Sequence, residues 1–168
     1  MSWDRHLEHW IVGLRAGWLN WFFVGLSWIG TYGLVWIAIA LVVALVWRRP
    51  PVFLTVVAAD ALADLLADLG KLIVHRHRPF EHQLGPATSS SSFPSGHAAT
   101  SFACATVLSV LVPRWRVPFF ALAILIAFSR LYNGVHYPTD VVAGALLGGL
   151  IALLLLGAIR RRSRRATR

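Results

Sequence analysis

Five apolar stretches, at residues 20–47, 52–74, 95–112, 117–131 and 138–159, leave this chain little to fold into but a membrane. A helix crosses a bilayer with about 20 consecutive apolar residues, and several of these stretches reach that length. A soluble domain of 168 residues could not hide a composition that is 57% hydrophobic and only 14% charged. The eight tryptophans suit interfacial belts, where an indole is half wet and half buried. The expected fold is all-α: a polytopic membrane helix bundle of about five transmembrane helices, forming one domain over residues 1–168.

The ends of these stretches carry their own signals. Trp3, Leu7, Trp10, Ile11 and Leu14 recur at helical spacing with charges between them. That pattern predicts an amphipathic helix over residues 3–14, lying in the interface rather than spanning. Residues 1–10 show no secretory-signal pattern, so insertion is expected to rest on the apolar helices themselves. The first long stretch is expected to bend near Gly30-Thr31-Tyr32-Gly33 and to stop at Arg48-Arg49-Pro50-Pro51, since proline cannot continue a helix. Residues 75–93 form the only long loop, and its small polar run at 88–92 reads as flexible. Cys104 is the only cysteine; no intrachain disulfide is possible, and its apolar helix makes it a packing residue.

Charge sets the orientation. Arg48-Arg49, Arg114 with Arg116, and the arginines of residues 160–168 all fall on one side of such a bundle, ten of the chain's sixteen basic residues. A basic tail can bind nucleic acid, but directly after an apolar helix it reads as a cytoplasmic stop on the positive-inside rule. The chain is therefore expected in the plasma (inner) membrane with residues 160–168 in the cytoplasm. Membrane lipids are its surroundings and nucleic acid is not a partner.

On the opposite side lie three clusters: Lys71-x6-Arg78-Pro79, Pro94-Ser95-Gly96-His97, and Ser129-Arg130-x5-His136-x3-Asp140. Arg78 and Arg130 offer planar forks that match phosphate oxygens, and Lys71 adds a point charge. Each alone could snorkel to headgroups; three on one side, with two histidines, point to a bound anion. Ser95, Gly96 and His97 stand where a helix begins, and free amides there attract anions. Gly96 permits close approach, Ser95 adds a hydroxyl, and His97 can protonate a leaving oxygen. Pro138 fits the first position of the last helix, so Asp140 can reach back to one ring nitrogen of His136 and leave the other free to attack phosphorus. A plain His–Asp latch is the structural alternative.

Asp60, Asp64 and Asp68 recur every four residues, and Lys71 joins their stripe. Ionisable groups within a span usually face the bundle, so Asp64 and Asp68 are expected to support Lys71; a structural polar pair between helices is the other reading. His75 and His77 flank Arg76, but their rings would splay on a helix and nothing completes a ligand set, so no metal is expected. His6, His9 and His82 read as interfacial or loop residues.

The three clusters resemble the three-part signature of the type 2 phosphatidic acid phosphatase superfamily, which includes vanadium haloperoxidases and class A acid phosphatases. All three parts occur in order across residues 71–140. The resemblance implies a phosphatase that needs neither metal nor cofactor. By it, His136 is the nucleophile that forms a phosphohistidine, Asp140 orients it and His97 protonates the leaving group. Lys71, Arg78, Ser95, Gly96 and Arg130 hold the phosphate. The small size and short loops look most like undecaprenyl-diphosphate phosphatases, with a lipid phosphate or diphosphate as substrate at the outer face. Phosphatidylglycerophosphate, phosphatidic acid and polyprenyl-phosphoryl-sugar phosphatases remain alternatives within the class. A lipid or anion transporter is the alternative outside it, since transporters also use intramembrane acids.

Overall fold

The computed structural model describes residues 2–79, 83–85 and 90–166. His82, Thr88, Ser89 and Arg168, which figure in the sequence reading, lie outside the described residues. Among those described there are helices and no strand. In chain order the helices are α1 (Ser2–Gly13), α2 (Gly17–Ile29), α3 (Leu34–Val46), α4 (Pro50–Val74), α5 (Gly96–Leu111), α6 (Arg116–Tyr132) and α7 (Pro138–Ala166).

α5 is the hub. It packs on α7, α4 and α6, and Ala98, Ala99, Ala103, Cys104, Ala105, Val107 and Leu108 on it are fully buried. The large aliphatics point the other way: Leu54, Leu65, Leu72 and Ile73 of α4 and Leu146, Leu150, Leu153 and Leu154 of α7 are exposed. Small residues inside and leucines outside is the packing of helices in lipid, where association rests on close backbone approach rather than on escape from water. This is a membrane protein. Among the described residues two segments can cross a bilayer by length and composition, Pro113–Tyr132 and Pro138–Arg165; a third is the pair Gly17–Ile29 and Thr31–Val46 taken together across a 61° bend.

That bend falls where the glycines suggested. Gly33 sits at φ +63, and a Cβ there would come within 2.0 Å of the Asp60 carboxylate. Only glycine suits both the left-handed backbone and the contact. Pro50 and Pro51 do more than stop the previous helix: they open α4, where an amide proton is not missed. Seven of the eight tryptophans are free to serve the interface, but Trp36 is fully buried. Its indole N–H donates to Ser101 Oγ at 3.1 Å, which satisfies the one polar atom it carries into the core. Cys104 is buried as well, with Sγ 3.7 Å from Asp60 Oδ1.

Candidate active site

The helix ends gather the three clusters around one cavity of about 820 Å³. α4 delivers Asp64, Asp68 and Lys71; α5 begins at Gly96 and brings His97; α6 brings Arg130 near its end; the loops after α4 and α6 bring Arg78 and His136. All of these line the cavity. Two expected site residues do not. Ser95 is fully buried behind Gly96 with its Oγ unpartnered, and Asp140 is fully buried behind His136. A backbone bond from Ser95 N to Asp140 O (3.0 Å) ties these two together, so the second and third clusters are joined directly.

Arg78 is anchored from behind by backbone oxygens. Its Nε donates to Ser90 O at 2.8 Å and its Nη1 to Val135 O at 3.0 Å. Nη1 also stands 3.2 Å from His136 Nε2. A guanidinium can only donate, so this contact requires the lone pair of His136 on Nε2 and its proton on Nδ1. Burial first, with the guanidinium charges of Arg130 and Arg78 added, pushes the His136 pKa down to about 4 although Asp140 opposes the shift. The neutral, nucleophilic form therefore holds far below the ordinary imidazole range.

The expected His136–Asp140 contact is present but long. Nδ1 lies 3.6 Å from Asp140 Oδ2 and has no hydrogen-bond partner. The carboxylate is already engaged: Oδ2 accepts from Tyr137 N at 2.9 Å and Oδ1 from Arg76 Nη1 at 2.6 Å. No motif marks Arg76, which stands between two histidines in the sequence, yet among the described residues it is the closest charge to Asp140.

His97 Nε2 stands 3.1 Å from Ser27 O, and because a carbonyl only accepts, that nitrogen carries a proton. Ser27 Oγ in turn accepts from Arg130 Nη1. Ser27 thus positions two site residues from α2, and no sequence motif marks it. The Arg130 Nε is buried without a partner. Among the described residues neither Arg78 nor Arg130 is paired with a carboxylate. Lys71 is paired, with Asp68 Oδ1 at 2.6 Å, and it faces Gly96: a Cβ added there would lie 3.6 Å from Nζ and 3.7 Å from Asp64 Oδ1. Asp64 and Asp68 thus share the cavity with Lys71, whereas Asp60 leaves the stripe and packs against Gly33 and Cys104 outside it.

Two guanidiniums that pair with no carboxylate among the described residues, a paired lysine and the start of α5 at Gly96 make a cavity that attracts an anion with several oxygens. The neutral imidazole of His136 and the second imidazole, of His97, both line that cavity.

Known proteins resemble this chain in sequence and in fold. The family model of the PAP2 superfamily matches residues 51–164, a stretch that begins after α1, α2 and α3. An undecaprenyl-diphosphatase of Sulfolobus acidocaldarius is 34% identical over 126 residues, covering 71% of this chain and 61% of that protein. A lipid A 1-phosphatase of Rhizobium etli is 38% identical over 117 residues, covering 64% of this chain and 49% of that protein. The chain thus spans about half to three fifths of the length of these relatives. A solved transmembrane PAP2-type phosphatidylglycerolphosphate phosphatase from Bacillus subtilis superposes with a TM-score of 0.80 at 26% identity, over 95% of this chain and 86% of that one.

Proposed function

This chain belongs to the PAP2 superfamily, and we propose that within it the protein is a metal-independent lipid phosphatase acting through a phosphohistidine. The observation that carries the reading is the convergence of Arg78, Arg130 and His136 on one cavity, with neither guanidinium paired with a carboxylate among the described residues.

The chemistry follows from the atoms. Lys71, Arg78, Arg130 and the backbone amide of Gly96 hold the nonbridging oxygens of the terminal phosphoryl group. Nε2 of His136 attacks phosphorus in line with the leaving oxygen; the N–P bond forms as the P–O bond breaks, and His97 gives that oxygen a proton. Asp140 accepts the Nδ1 proton in a hydrogen bond and offsets the charge on the ring. Water then attacks the phosphohistidine, His97 takes its proton, and inorganic phosphate leaves with His136 restored. Catalysis is mainly positioning and charge stabilisation, as phosphoryl transfer demands.

Within this class we favour a polyprenyl diphosphate such as undecaprenyl diphosphate, as in the Sulfolobus relative. The names of the other two relatives put a lipid A 1-phosphate and phosphatidylglycerophosphate beside it. Purified protein in detergent with EDTA is expected to release phosphate from at least one of four substrates: polyprenyl diphosphate, a glycolipid 1-phosphate, phosphatidylglycerophosphate and phosphatidic acid. The fastest of the four names the substrate class. No turnover of any from folded protein, or turnover only after metal is restored, would sink the proposal; transport without cleavage would then be the better reading.

We further read the chain as one domain with five spans, taking the bent α2–α3 pair as one and α4 to α7 as the others. α1 lies in the interface and residues 160–168 form a cytoplasmic tail. The site then faces the outer side of the inner membrane. The arginine asymmetry supports this. A C-terminal reporter that matures only outside the cytoplasm should stay inactive, and an active fusion would reverse the orientation.

A further inference from the structure

One buried carboxylate is not used by the mechanism. Asp4, near the start of the amphipathic α1, is fully buried although its neighbours Trp3 and Trp10 are 53% and 63% exposed. Its partners lie at the site. Oδ2 accepts from Arg76 Nη2 at 2.5 Å and from Thr139 Oγ1 at 2.7 Å, and Oδ1 accepts from Thr139 N at 3.1 Å. Arg76 uses its other terminal nitrogen on Asp140 Oδ1 and Thr139 Oγ1, both at 2.6 Å. Its guanidinium also lies over the Tyr137 ring, 4.3 Å from the centroid. A single planar fork is therefore clamped between two fully buried carboxylates and backed by an aromatic face.

We infer that Asp4 and Arg76 are positioning residues for the reaction, fixing Asp140 and through it His136, so that α1 belongs to the catalytic frame. The inference rests on the phosphatase reading above and reaches outside the segment the family model matches.

The geometry favours positioning over mere anchorage. Thr139 N and Oγ1 already hold Asp4, so fastening α1 does not require Arg76. What Arg76 adds is the orientation of the Asp140 carboxylate, because one oxygen is held by the fork and the other faces His136. Burial by itself would raise the Asp4 pKa, but the hydrogen bonds from Arg76 and Thr139 outweigh it and hold the carboxyl below the usual range, which favours the charged form that the fork binds. Without that charge the guanidinium has one carboxylate partner instead of two and swings toward Asp140. Displacing a reacting group by about 1 Å costs on the order of 100-fold in rate.

The test is steady-state turnover by the full chain of whichever lipid phosphate the parent hydrolyses fastest, for Asp4→Asn, Arg76→Lys and Arg76→Gln. Asp4→Asn keeps the acceptor for Thr139 N and loses the charge. Its kcat per folded molecule is expected to fall about 10- to 100-fold with KM close to the parent's, and the melting temperature falls too, because the amide nitrogen sets a donor against Arg76 Nη2. Arg76→Lys keeps a charge beside Asp140 but cannot span both carboxylates, so it should fall between the parent and Arg76→Gln. A purely structural clamp predicts lost folded protein with an unchanged kcat per folded molecule. That result, or an Asp4→Asn kcat within about twofold of the parent, overturns the inference. Should Asp4→Asn fail to fold, Arg76→Lys decides: reduced kcat at unchanged KM supports the role and a parental kcat removes it. A parent that turns over no lipid would take down the phosphatase reading and this inference with it, whereas an active parent indifferent to these changes takes down the inference alone.

Discussion

His136→Ala is expected to lower phosphate release by about 10⁴-fold or more, because removing a nucleophile that acts as part of a unit costs nearly the whole of that unit's contribution. Binding should largely survive. Arg78 keeps its backbone anchors at Ser90 and Val135 without the imidazole, and Arg130 keeps Ser27. Inorganic vanadate, a mimic of the phosphoryl-transfer state, should still bind the variant more weakly. Trapped phosphoprotein offers the complementary readout: a base-stable, acid-labile phosphoryl group should be trapped on the parent during turnover and never on His136→Ala. The pH dependence carries a sign. A histidine whose folded pKa is depressed to about 4 stays neutral from there upward, so the acid limb of kcat/KM that reports the nucleophile should lie well below 6.5, in the free-enzyme profile. The same depression means that the unfolded chain takes up the His136 proton first. Stability should therefore fall as pH drops from about 6.5 toward 4, and this part of the fall should disappear in the alanine variant. Turnover by His136→Ala within tenfold of the parent would remove the phosphohistidine from the mechanism.

The site was legible where charge stood out against an apolar background. Lys71, Arg78, His97, Arg130 and His136 are costly in a membrane chain, and the structure brings all five to one cavity. The helices were legible for the same reason, since apolar runs and their basic stops leave few other readings. What the sequence could not show were pairings across distance. Arg76 meets Asp4 and Asp140 across 72 and 64 positions of chain, and no periodicity links residues on different helices. The long His136–Asp140 distance has the same origin, because the competitors for Asp140 come from elsewhere in the chain. Ser27 is a small polar residue in an apolar helix, and only the fold reveals that its carbonyl and hydroxyl serve His97 and Arg130. Asp60 fitted the periodic stripe of Asp64 and Asp68, but the break in the α2–α3 pair presents Gly33 to it and takes it out of the cavity.

Gly148→Ala should be among the most damaging single-carbon changes in the chain. A Cβ at that position would stand 2.0 Å from Ala99 O and 2.9 Å from Ala103 N, both backbone atoms of α5. No rotamer change can relieve a clash with backbone; α7 must move away from the hub helix. Gly144 and Gly148 are four apart on α7 and face Ala99 and Ala103, four apart on α5, a small-residue seam that lets two helices touch along their backbones. Overpacking costs about 1–3 kcal/mol, which corresponds to a melting shift of about 2–12 °C for a chain of this size. The rigid backbone contact puts Gly148→Ala toward the upper end, and Gly148→Leu is expected to yield no monodisperse protein. Gly144→Ala adds a functional cost. Its Cβ would lie 2.4 Å from Ser95 O, so relief of the clash drags the start of α5 away from α7 and pulls on the Ser95–Asp140 backbone bond. That variant should lose turnover out of proportion to its lost stability. The chain supplies its own control in Gly149 and Gly157, helical glycines of α7 with nothing within 4 Å of an added Cβ. Alanine there should be neutral or stabilising by up to about 1 kcal/mol, since it lowers the entropy of the unfolded chain. Equal melting temperatures for Gly148→Ala and Gly149→Ala would show that α5 and α7 do not meet along this seam, and the joined frame of Ser95 and Asp140 would fall with it.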